Sequence, residues 1–200
     1  MNESKQIEAY GNLLAWYGAD LAFFSEFQRF AENKITSQEY SSDYPRSFQD
    51  FLNSFKVSRT LKKGATEELL QISKSWYDEG QFLNVNGLVE KIEKAGIVHG
   101  RPVSMASKIM FLMKPDLILP YDSRAKKTLG MKPYEIDYTE YLTRAQQFET
   151  RNLEMMKVWL KSASEKLDVL EKDYTGLKIP LPMVRKMRFL DKLLWVGTQK

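Results

Sequence analysis

Apolar residues recur every three or four positions along most of the chain, the spacing of one face of an α-helix. The first such run, from Ser4 to Asn33, carries Ile7, Tyr10, Leu14, Tyr17, Leu21 and Phe24. Gly11 and Gly18 interrupt it, each marking a close packing contact or a break. The aromatics Trp16, Tyr17, Phe23, Phe24, Phe27 and Phe30 are assigned to the core. The polar stretch from Ile35 to Arg46 predicts an exposed loop. Ser47 then caps a helix running to Lys62, with Phe48, Phe51, Leu52 and Phe55 inward. Helices are expected over 66–77, capped by Thr66, and over 87–95, ending at Gly96. A long stripe from Tyr138 to Leu170 has a gap at Thr150-Arg151-Asn152, which predicts two helices or a bend. A last helix over 183–195 turns Val184, Met187, Leu190, Leu194 and Trp195 inward and Arg185, Lys186, Arg188 and Lys192 to the other face. No segment alternates as a strand does. The expectation is an all-α fold: one compact domain, 1–200, whose lobes are 1–34 with 134–200, and 47–132.

The middle of the chain, GRPVSMASKIMFLMKPDLILPYDSRAKKTLG from Gly100 to Gly130, follows a different plan. Pro102 suits a first helical position because the N–H it lacks has no intrahelical partner there. The helix must stop before Pro115. Between Pro115 and Pro120 there is no room for another, so Leu117, Ile118 and Leu119 predict a buried, extended link. Asp122 then caps a short helix that Gly130 closes.

A helix with a small residue and a lysine, a proline-fenced link, and the run PYDSRAKKTLG together resemble the helix-hairpin-helix DNA glycosylase superfamily, the 8-oxoguanine glycosylase and endonuclease III group. The resemblance covers about 30 residues. It implies that Asp122 is the catalytic carboxylate and that the turn around Gly100, with Arg101, Val103, Ser104, Lys108 and Arg124, grips duplex DNA. Near the place of the family's lyase lysine stands Ser104, so a monofunctional glycosidic hydrolase is implied rather than a lyase. Lys108 is read as a surface or phosphate contact.

Charge adds to this picture. The whole chain carries a net charge of +4, yet His99 to Lys132 alone holds seven basic side chains against two acidic ones. Such a segment fits either a solvated surface or one facing phosphates. With no cysteine and a single histidine, disulfides, cysteine-bound metals and serine or cysteine triads drop out. No GxGxxG or GxxxxGK[ST] run is present. Neither a metal nor a cofactor is expected. His99 is an exposed loop residue or a phosphate or base contact. The polar N-terminus and the lack of a long apolar run predict a cytoplasmic protein without a membrane partner. Three functions follow as expectations: a DNA-binding base-excision enzyme, a non-catalytic nucleic-acid-binding module in which Asp122 is only a cap, or a protein-interaction domain using the 138–170 stripe.

Overall fold

The computed structural model describes residues 1–43 and 45–198, with the side chain of Asp43 outside that description. It is all-α: the described residues form no strand, and the one β-bridge joins Leu61 to Val98. Among the described residues eight α-helices run in chain order: α1 (Glu3–Ala31), α2 (Phe48–Ser54), α3 (Thr66–Asp78), α4 (Val85–Ala95), α5 (Val103–Met113), α6 (Ser123–Thr128), α7 (Tyr138–Glu171) and α8 (Leu181–Val196). Among these described residues no helix is long and apolar enough to cross a membrane.

The long helices α1, α7 and α8 pack on one another, while α5 packs on α1 and α4, and α6 on α8. Edge-to-face pairs such as Phe24 with Phe111 (5.1 Å between centroids) and Phe23 with Phe51 (5.6 Å) join α1 to α5 and α2. The aromatics assigned to α1's core are buried except Trp16, which is 56% exposed. Neither glycine of α1 marks a break or a tight contact: a Cβ at Gly18 would lie 3.5 Å from Leu170, an ordinary van der Waals distance, and one at Gly11 would meet nothing within 4 Å.

Five expectations change. The 138–170 stripe is one unbroken helix, and Thr150 and Asn152 lie inside it with their side chains donating to the carbonyls of Gln146 and Phe148 one turn back. Its Ala145, Met156, Ala163 and Leu167 are buried, so the stripe is used up within the fold. The helix from Ser47 ends at Ser54 rather than Lys62: the N–H groups of Lys56 and Val57 bond back to Asn53 and Leu52, and Lys56 takes a left-handed φ of 57°. Within the 35–46 loop Ile35 and Tyr40 are buried, Tyr40 stacked on Phe30 at 5.2 Å, and Glu39–Asp43 forms a π-helical turn; Tyr44 of that loop lies outside the described residues. Pro102 is the cap of α5 rather than its first residue.

The fifth change concerns Arg188. Assigned to the polar face of α8, it is the largest fully buried side chain. Its guanidinium donates to Asp20 of α1 at 2.7 Å and to Asp191 at 2.8 Å and lies 4.8 Å from the centre of the Phe111 ring. Burial without ion partners would cost several kcal/mol, so the two carboxylates are the condition for placing it there. Arg188→Met leaves Asp20 buried without its ion-pair partner and Asp191 with only Lys192, at 3.7 Å, and is expected to cost about 3–5 kcal/mol in urea unfolding. Replacing Asp20 and Asp191 with leucine as well should recover most of the loss.

Candidate functional site

The site is built on the link between α5 and α6. The expected buried link is only partly found: Leu117 is 44% exposed in a turn closed by the Leu117 and Ile118 N–H groups on the Lys114 carbonyl. Ile118, Leu119 and Pro120 are buried outside any helix, in a protein whose described residues offer no sheet to receive their backbone groups. Side chains of α5 and α7 take the place of neighbouring strands. The Tyr138 hydroxyl accepts from the Leu119 N–H (3.1 Å) and donates to the Leu119 carbonyl (2.9 Å). Tyr141 donates to the Pro120 carbonyl (2.8 Å). Ser104 donates to the Tyr121 carbonyl (3.0 Å), and Ser107 accepts from the Tyr121 N–H (2.9 Å). Since proline has no N–H, every backbone polar group from Leu119 to Tyr121 is satisfied by a hydroxyl. Burial pushes the Tyr138 and Tyr141 hydroxyls well above the usual tyrosine range, keeping them protonated donors.

This clamp delivers Asp122 to the start of α6, where its Oδ1 accepts from the Arg124 N–H at 2.8 Å. Its side chain is half-buried and its Oδ2 has no hydrogen-bond partner among the described residues. Arg124 is exposed and stacks over Trp195 of α8 at 4.3 Å. Ser123, Arg124 and Lys127 line an open depression with Thr198. A separate hollow of about 180 Å³, between residues that include Phe24, Phe27, Tyr77 and Ile179, is not lined by Asp122.

The α4–α5 turn reaches Arg101 through Gly96 and Gly100, both at left-handed φ (69° and 72°), where a side chain would be strained. Gly100 and Arg101 are exposed, and Val103 is buried at the first turn of α5, where the N–H groups have no intrahelical acceptor. The Ser104 hydroxyl is already committed to Tyr121, so only its N–H is left for a phosphate.

Comparison with family models, with curated proteins and with solved structures gave no match. The site therefore rests on its own geometry.

Lys108 corrects an expectation. It is only 7% exposed, and its ammonium donates to the Phe55 carbonyl at the end of α2 (3.0 Å), so it braces a helix C-terminus instead of meeting solvent. Desolvation pushes its pKa below the ordinary lysine value, against the opposing pull of Asp122 and Asp191. Lys126 is likewise buried, donating to the Pro133 carbonyl.

One contributor was absent from the sequence reading. The Lys62 N–H donates to the Ile97 carbonyl and the His99 N–H to the Thr60 carbonyl, each at 2.8 Å. The strap after α2 is thereby fastened to the α4–α5 turn. The contact joins segments nearly forty residues apart in sequence, and no local pattern announces it.

If hydroxyls alone satisfy the link, their loss should be graded. A buried polar group left unpaired costs about 1–3 kcal/mol. Tyr138→Phe orphans two groups of Leu119, Tyr141→Phe only the Pro120 carbonyl, so urea unfolding should show about twice the loss for the first.

Proposed function

We propose that the protein binds duplex DNA through its phosphate backbone, and that Asp122 serves base excision by hydrolysis of the N-glycosidic bond. The observation that supports this most is the placement of Asp122. A rigid, fully hydrogen-bonded link holds it beside exposed Arg124 with one carboxylate oxygen uncommitted. This adds to the resemblance of residues 100–130 to helix-hairpin-helix glycosylases.

In this reading the N–H groups at Val103 and Ser104, with the turn at Gly100 and the Arg101 side chain, grip a phosphate. Arg124 meets another. The target base is flipped out of the stack. As the C1′–N bond breaks, Asp122 stabilises the positive charge on the sugar and takes a proton from the water that bonds to C1′, while the base leaves with the electron pair.

The cap bond from Arg124 favours a second reading, in which Asp122 only starts α6 and the protein binds DNA without chemistry. Asp122→Asn separates them. Asparagine caps nearly as well, so folding and affinity should persist in either case. Release of a damaged base from lesion-bearing duplexes should be lost if Asp122 is catalytic; no release by the wild type would leave the binding module.

DNA binding itself has its own test. Fluorescence anisotropy should show affinity falling steeply with salt, and Arg101→Gln should reduce the slope of log K against log salt by about 1. Affinity indifferent to salt would remove the phosphate contacts.

A further inference from the structure

The charge of this face is not confined to the α4–α5 turn. Lys56, Arg59, Lys62 and Lys63 are exposed on the strap after α2, and none of them forms an ion pair among the described residues. The same is true of Arg101, Arg124 and Lys127; elsewhere many cations are paired, as in Arg29 with Glu26, Lys74 with Asp78, Arg144 with Glu140 and Arg185 with Asp168, although Arg151, Lys161 and Lys166 of α7 are exposed and form no ion pair among the described residues. The nearest acids following the strap, Glu67 and Glu68, lie in the first turn of α3 and complement its dipole.

Three contacts fix this strap against the site. The bonds of Lys62 to Ile97 and of His99 to Thr60 tie it to the turn that carries Arg101. The ammonium of Lys108 holds the Phe55 carbonyl one residue before Lys56. Burial lowers the pKa of that ammonium, Asp122 and Asp191 oppose the shift, and Arg59 and Lys56 add to it.

Lys56 occupies the left-handed position that ends α2, closed by bonds from Lys56 to Asn53 and from Val57 to Leu52. Glycine is the usual residue at such a position and asparagine the next; α1 uses Asn33 in the same way, at φ 58°. Lysine at this position strains the backbone relative to glycine.

We propose that residues 56–63 form a second phosphate-contacting strip, with Lys56, Arg59, Lys62 and Lys63 engaging the DNA backbone beside the contacts made by the α4–α5 turn. This rests on the DNA-binding reading above. It gives the bound duplex two anchors on separate segments, which is what orienting a helix against Asp122 demands, since phosphate contacts fix register.

The test is a salt titration of a fluorescein-labelled duplex with wild type, with Lys56→Gln/Arg59→Gln/Lys62→Gln/Lys63→Gln, and with Lys56→Gly alone. The fourfold variant should lower the magnitude of the log K against log salt slope by about 2–4, and Lys56→Gly by about 1. Lys56→Gly should also raise Tm, since glycine relieves the left-handed strain. Wild-type binding with an unchanged slope in the fourfold variant overturns the strip and spares the DNA reading. No binding by wild type even at low salt overturns both, as does binding only to phosphatidylserine vesicles.

Discussion

An extended segment cannot be buried in a helical protein unless something answers its backbone, and this requirement organises the molecule. The link from Leu119 to Tyr121 meets it with hydroxyls from Ser104, Ser107, Tyr138 and Tyr141. These come from α5 and from the first turn of α7, so satisfying the link fixes how the two helices meet. Pro120 lightens the demand by having no N–H to satisfy. Asp122 and α6 follow directly from the clamped link, and α6 in turn seats on α8, where Thr128 donates to the Leu194 carbonyl.

A second constraint is the treatment of charge. Within the long-helix bundle, ions are buried only in sets. Arg188 lies between Asp20 and Asp191, and Arg185 bonds Glu171, which also accepts from Tyr17 at 2.6 Å. Each set joins different helices and leaves no isolated charge in the low-dielectric interior. Around the α4–α5 turn and on the outer side of α6 the arrangement is the reverse: Arg101, Arg124 and Lys127 are exposed and form no ion pair among the described residues. A surface of this kind repels itself until an anion arrives, which is the electrostatic sense of the proposed function.

Much of the candidate site could be read from residues alone because its determinants are local. Pro115 and Pro120 exclude a helix between them whatever surrounds them, and an aspartate two residues after a proline, ahead of Ser-Arg-Ala, is placed to cap. Asp122, Gly100 and the bounds of α5 and α6 were legible for that reason. Lys108 was not. On a helix whose whole length is buried, the usual contrast between an apolar and a polar face disappears, and the lysine's partner is a carbonyl fifty-three residues away. The early end of α2 escaped the pattern as well, because helical spacing continues past Ser54 and only the closure of Val57 onto Leu52 stops it.

The sequence by itself determined the helical class, most helix bounds and the buried link with its aspartate, since periodicity, prolines and caps act over a few residues. Tertiary structure alone decided which polar side chains go inside. Arg188, Lys108 and Asp20 look like surface residues in the chain, and each is buried only because a partner from a distant helix meets it. It also decided that a strap from the fifties and sixties lies against a turn at 97–101. Such choices depend on pairing over long separations, where burial is favourable only once both partners are in place.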